Sequence, residues 1–273
     1  MMNSGIYGNI EQDFIGCIPE LPPVMKKLIE LTRTLNLSKN SYANILLADS
    51  VLSSRVFSYI NLVLNSSNSA YISINKGVSI MGLHKFKNVA LVFSLFPVFQ
   101  EAECEKLFKY SLLTAYYSKE IASRFNFINR HDAFLMGFLY DIGKIAMRNR
   151  FGEKYETVSH DKGGSIKTYT AEEELREFNC CHTDLSEYIC RLWNLPIVIT
   201  DSIKFHHFPL KAMLPQAASI IYLADMLANK NNKITKENQQ IFQYMRLSKS
   251  ELMSYSNNCN KKILPFLEIL GAY

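Results

Sequence analysis

No stretch of the 273-residue chain alternates polar and apolar residues between turn signals, so no strand is predicted. There is no glycine-rich phosphate loop, no Ser-His-Asp order and no kinase signature. Six cysteines (Cys17, Cys104, Cys180, Cys181, Cys190 and Cys259) show no disulfide-scaffold spacing, and no signal-peptide pattern precedes them. Reduced thiols in a cytoplasmic protein are expected. Cys180-Cys181-His182 lacks a second cysteine pair to complete a four-ligand metal shell. The apolar run 89–99 is far shorter than the ~20 residues of a membrane span and contains Pro97, so it reads as a core helix. Charge of either sign is modest: net +5, pI about 8.7, with lysines only in short groups such as Lys26-Lys27. That falls short of a nucleic-acid binder, and neither nucleic acid nor membrane is expected as a partner. Internal repeats and low-complexity tracts are absent.

What is present is apolar residue at helical spacing. Hydrophobic residues make up 48% and aromatics 12%, enough for a sizeable core. Pro22 and Pro23 open a helix carrying Val24, Leu28, Leu31 and Leu35. Asp49 or Ser50 predicts a cap before a helix to about residue 64, and Asn75 and Gly82 bracket another. A long helix over 103–125 follows, then Asn129 as a cap. Thr170 to Glu173 and Ser248 to Glu251 are capping-box patterns. Asn61, inside a helix, is expected at the surface or bonded to a neighbouring loop. The expected fold is all-α.

The most informative stretch is residues 134–147, FLMGFLYDIGKIAM. It predicts a helix apolar on every side and therefore buried. Asp141 and Lys144 sit inside it, three residues apart on one face. A buried carboxylate is costly unless a cation, a donor or a metal answers it.

DIGK after an apolar run resembles the core of the HD superfamily, in which metal-dependent phosphohydrolases carry His-Asp where this chain has Tyr140-Asp141. LPPVMKKLIEL (21–31), ADSVLSSRVFSYIN (48–61), SINKGVSIMGLHKFKNVAL (73–91), WNLP (193–196) and SIKFHH (202–207) extend the likeness. Together they resemble the HDOD domain, an HD-related output domain of bacterial signalling proteins. The resemblance implies a lead-in over 1–17 and an HDOD domain over 18–230. That domain divides into a helical subdomain (18–100) and an HD-like core (101–230), and a C-terminal helical extension covers 231–273.

By the same resemblance, to HD-GYP phosphodiesterases, the first metal-binding histidine falls at Tyr110 and the His-Asp pair at Tyr140-Asp141. The further histidines fall at His182, His206 and His207, and the distal aspartate at Asp225. Both losses strike one of the two metal positions. Asp141, His182, His206 and His207 remain as a shell for one divalent ion, of a kind suited to zinc, iron or manganese. The competing arrangement pairs Asp141 with Lys144 or with the Tyr110 hydroxyl and holds no metal. His206 and His207 on one helix would point about 100° apart, leaving one exposed.

HDOD domains are generally taken to lack catalysis. The resemblance therefore implies a catalytically inactive signalling module. It would act through protein partners, or through a nucleotide or other small ligand, in responses such as motility or biofilm formation. A one-metal phosphohydrolase or phosphodiesterase is the competing function. Two apolar segments are candidate partner surfaces: Phe14, Ile15, Ile18 and Leu21, and Ile263, Phe266, Leu267, Leu270 and Tyr273.

Overall fold

A computed structural model describes residues 10–32, 39–64, 71–156, 170–229 and 235–271. Among them every regular element is a helix. Residues 65–69, whose polar run Asn-Ser-Ser-Asn-Ser predicts a turn, and His160, expected at the surface, lie outside the described residues. No described helix is long and apolar enough to cross a membrane. The chain divides into two compact units, residues 21–101 with 258–273, and residues 1–20 with 102–257. The last helix is thus counted with the first unit, where the sequence reading set 231–273 apart as an extension.

In the first unit, helices α1 (Pro23–Thr32), α2 (Lys39–Leu47), α3 (Ser50–Leu64), α4 (Ile74–Met81) and α5 (Leu83–Glu101) are joined by α16 (Ser256–Leu270). The caps follow the short polar residues. Asp49 Oδ1 accepts from the Leu52 amide, and Ser73, two residues before the expected Asn75, accepts from Lys76. Gly82 ends α4 at φ 79°, where a Cβ would be strained. Asn61 exchanges two hydrogen bonds with the backbone of Ile72, tying α3 to the chain that enters α4. The core is aromatic: Tyr59, Phe93 and Phe266 pack edge-on or tilted with centroids 4.6–6.0 Å apart. Pro97 inside α5 has no N–H for the Phe93 carbonyl, and Arg55 Nη1 reaches that oxygen at 3.4 Å instead.

In the second unit, α6 (Glu105–Ala122) packs along α7 (Arg130–Leu139) and α13 (Pro215–Ala228). Asn129 caps α7 as expected, accepting from His131. Gly137 lets α7 close on α6: a Cβ there would collide with Ser118 Oγ, the Thr114 carbonyl and Ala115. Phe108, Phe134 and Phe138 fill the interface and are essentially fully buried. The remaining elements are α8 (Gly143–Phe151), α9 (Glu153–Glu156), α10 (Ala171–Phe178), α11 (His182–Leu192), α12 (Ile197–Lys204), a 3-10 turn (Pro209–Lys211), α14 (Lys236–Met245) and α15 (Lys249–Ser254). Trp193 closes α11 and is buried.

The stretch 134–147 is buried as expected, but it is not one helix. It breaks at Tyr140, Asp141 and Ile142 into α7 and α8, through tight i to i+3 bonds (Ile142 N to Leu139 O, Lys144 N to Asp141 O). The break brings Gly143 against the start of α11, where a Cβ would strike the His182 carbonyl, the Ser186 nitrogen and Leu185. The Gly143 amide donates to Ser186 Oγ at 2.9 Å. Asp141 is thereby held beside the first residue of α11, His182.

Candidate metal centre

Four segments of the second unit converge. The α7–α8 break presents Tyr140, Asp141 and Lys144, and α11 begins with His182. The chain leaving α12 carries His206 and His207, and α13 contributes Asp225. Asp141 and His182 are both buried, 3% and 0% exposed. Lys144 Nζ meets Asp141 Oδ2 at 2.6 Å. Asp141 Oδ1 faces His182 Nε2 at 3.3 Å and His206 Nε2 at 3.6 Å. His182 Nε2 and His207 Nε2 lie 3.0 Å apart.

The structure therefore brings together all four residues singled out from the sequence. It differs on how His206 and His207 are presented. Helix α12 ends at Lys204, so the pair sits in the following turn and its rings lie 4.1 Å apart, not splayed around a helix. Tyr110 makes no described hydrogen bond to Asp141. Thr114, one turn further along α6 and fully buried, is the residue beside the Tyr140 hydroxyl.

Charge and protonation split the site into two halves. In the first, the Tyr140 hydroxyl donates to Asp225 Oδ1 at 2.7 Å, and Asn229 Nδ2 donates to the same oxygen at 2.9 Å. Burial, with Asp141 and Asp225 nearby, pushes the Tyr140 phenol well above its ordinary range. A neutral phenol is a poor ligand for a divalent ion. Its hydrogen is committed to Asp225, and the buried Thr114 hydroxyl beside it is placed to donate to the phenol oxygen, which partly offsets the rise. Burial also raises the Asp225 carboxyl to about 6.

In the second half the ring nitrogens are oriented from behind. His206 Nδ1 meets the Ile203 carbonyl at 2.7 Å, and His182 Nδ1 meets Glu174 Oε2 at 2.6 Å. A carbonyl and a carboxylate only accept, so each Nδ1 carries a hydrogen, and a ring protonated there alone offers its Nε2 lone pair. Burial lowers His206 to about 4 and His207 well below the usual imidazole range. Burial alone would raise Asp141, but Lys144, His182 and His206 outweigh it, and the carboxyl ends below its ordinary value.

These residues fit a metal ion. Asp141 Oδ1 and His206 Nε2 are buried and, among the described residues, make no hydrogen bond. Buried polar atoms left in that state are rare and costly. His182, His206 and His207 present nitrogens that all lie within 4.8 Å of one another. A tetrahedral ion with bonds of ~2.05 Å separates its ligand atoms by about 3.4 Å. The separations of 3.0, 3.3 and 3.6 Å bracket that value. A histidine triad backed by a carboxylate can hold one divalent ion.

Glu174 was missed by sequence reasoning, although Ala171, Glu174 and Phe178 share a helical spacing that places the glutamate on an inward face. It is fully buried and holds His182 from behind. The cysteines next to His182 point elsewhere: Cys180 Sγ to Met147 Sδ, Cys181 Sγ to Thr183 and Asp184.

Comparison with known proteins agrees with this architecture. An HDOD domain protein from Geobacter sulfurreducens superposes with a TM-score of 0.72 at 20% identity, over 97% of this chain and 96% of that one. A Shewanella amazonensis SB2B protein, provisionally named a metal-dependent phosphohydrolase, gives 0.60 at 15% identity, covering 97% and 99%. A Marinobacter aquaeolei VT8 protein, provisionally named in signal transduction, gives 0.76 at 13% identity over 100% of this chain and 67% of that one. Identities this low establish the shared fold alone. No curated protein matches. The HDOD domain pattern matches residues 18–209, well over half of the chain, and the chain belongs to the HDOD family.

Proposed function

We propose that this HDOD protein is a non-hydrolytic signalling module that binds one divalent ion and acts through protein partners. The observation that carries the reading is the 2.7 Å hydrogen bond from Tyr140 to Asp225. Two-metal phosphohydrolases clamp the attacking and leaving oxygens between paired ions. Here a neutral hydroxyl occupies the carboxylate that would serve the first ion, and the Lys144 ammonium engages Asp141 Oδ2, an oxygen that a bridging carboxylate would need. Asp141, His182, His206 and His207 would hold the single ion, with zinc, iron or manganese suited to that donor set. The ion would act there as a Lewis acid and as a tie between the α7–α8 break, α11 and the turn after α12.

A one-metal phosphohydrolase is the second reading, favoured by the bare Asp141 Oδ1 and His206 Nε2. Hydrolysis of cyclic di-GMP and nucleoside phosphates by protein loaded with zinc, iron or manganese separates the two. Loss of one side of a two-ion clamp removes several kcal/mol of transition-state stabilisation, roughly a thousandfold in rate. Turnover should therefore stay below about one per second. Faster, His206-dependent turnover would establish the enzyme reading instead.

A further inference from the structure

Glu174 belongs to no metal position, yet two of its three described hydrogen bonds are to a single residue. Oε2 accepts from the His182 backbone amide at 2.7 Å and from His182 Nδ1 at 2.6 Å. Oε1 accepts from the Tyr155 hydroxyl at 2.6 Å. His182 is the first residue of α11, where backbone N–H groups lack helical partners, and Cys181 before it supplies no side-chain cap. One carboxylate on a neighbouring helix therefore does two jobs: it caps α11 and grips the imidazole of its first residue. Helix α10 is itself fixed by the reciprocal Thr170–Glu173 capping box, so the grip comes from a set backbone. Phe178, from the same helix, packs at a tilt against Phe151 with centroids 4.5 Å apart and anchors its far end to α8.

We propose that Glu174 is the positioning residue of the metal centre, supported by Tyr155, and that it keeps the His182 hydrogen on Nδ1 and turns the Nε2 lone pair inward. This rests on the reading that the site takes a divalent ion. The inference follows from what each atom can do. A carboxylate has no hydrogen to give, so the nitrogen facing it must be the donor. Tyr155 spends its hydrogen on the opposite oxygen, which leaves Oε2 to His182. With Nδ1 committed, Nε2 is the atom pointing at Asp141 and His207. A carboxylate behind a ligating histidine also makes the ring a stronger donor to metal. A glutamate serving only to cap α11 would need its bond to the His182 amide and none to the ring.

The test uses the full chain labelled with ¹⁵N-histidine. After metal removal by chelator, two-bond ¹H–¹⁵N spectra at pH 8, where imidazole is ordinarily neutral, report which nitrogen of His182 bears hydrogen. Zn²⁺ affinity is then measured by competition titration for wild type, Glu174→Gln, Glu174→Ala and Tyr155→Phe. Wild type should show hydrogen on Nδ1, and that signature should be lost in Glu174→Ala. Glu174→Gln can keep an acceptor toward His182 while removing the charge, and should weaken Zn²⁺ binding about 10- to 100-fold. Tyr155→Phe, one bond further out, should weaken it by less than Glu174→Gln does. A wild-type His182 bearing hydrogen on Nε2, or a folded Glu174→Gln that binds Zn²⁺ within twofold of wild type, would overturn the proposal. Should Glu174→Gln fail to fold, the wild-type spectrum decides alone. An Nδ1–H ring in a protein that takes up no Zn²⁺ would support the positioning and defeat the metal reading.

Discussion

Asp225 and His206 sit in one site and answer pH in opposite directions. Burial raises Asp225 to about 6, against ~3.9 in an unfolded chain. The folded state then favours the protonated form, so this group's contribution is full below pH ~4 and is lost as pH rises through 6. At neutral pH it costs on the order of 2 kcal/mol, allowing for its partial exposure. Asp225→Asn keeps an acceptor for Tyr140 and cannot ionise. Its melting temperature at pH 7 is expected above wild type, with the gain gone near pH 4; an unchanged or lower value at pH 7 would refute the assignment. His206, lowered to about 4 by burial, stabilises above pH 6.5 and loses that contribution toward pH 4. Removing Asp225 leaves His206 unopposed, so Asp225→Asn should also lose stability more steeply than wild type between those values. Tyr140→Phe removes one of the two donors to the Asp225 oxygen and should cost about 1–2 kcal/mol in urea titrations. Its metal uptake should be unchanged, because the phenol is no ligand. At this scale the sequence identified Asp141, His182, His206, His207 and Asp225 by the resemblance of their surroundings. The resemblance set the first histidine position at Tyr110, which makes no described hydrogen bond to Asp141; Thr114, one turn further along α6, lies beside the Tyr140 hydroxyl. Glu174 stayed hidden among three successive glutamates.

The element that organises the site is the break between α7 and α8. An apolar run with no proline reads as a continuous helix, and local propensity offers no reason to stop at Leu139. The reason is tertiary: Gly143 must come within backbone contact of α11, and the chain tightens to put it there. That contact gives a prediction. Gly143→Ala forces a methyl onto the His182 carbonyl and the Ser186 nitrogen, neither of which can rotate away. Overpacking of this kind costs about 3 kcal/mol, read as a lower denaturation midpoint at an unchanged slope. Because the displaced residue is His182, metal affinity should fall as well. Gly143→Ala with wild-type stability and affinity would mean that the close approach does not set the site. Helix starts were more readable than this break. Asp49, Asn129, Thr170 and Ser248 each cap where a short polar side chain precedes an apolar run, because that interaction is local.

Over the whole chain, helical periodicity conveyed the all-α class, and the order of motifs conveyed the family. The assignment of the last helix to the unit of residues 21–101 was not readable, since it depends on Phe266 meeting Tyr59 and Phe93 from some two hundred residues away. Binding an ion at the site stabilises the folded state by mass action. The melting temperature should rise with added Zn²⁺ in wild type and stay flat in Asp141→Ala. The central claim is a single ion on Asp141, His182, His206 and His207, with the Tyr140–Asp225 half closed. Metal stoichiometry tests it most directly: tag-free protein equilibrated with zinc, iron or manganese, freed of unbound ion and analysed by elemental mass spectrometry. The account predicts one ion per chain, lost in Asp141→Ala and His206→Ala and kept in Tyr140→Phe. Two ions per chain, none, or a single ion that survives Asp141→Ala would contradict it.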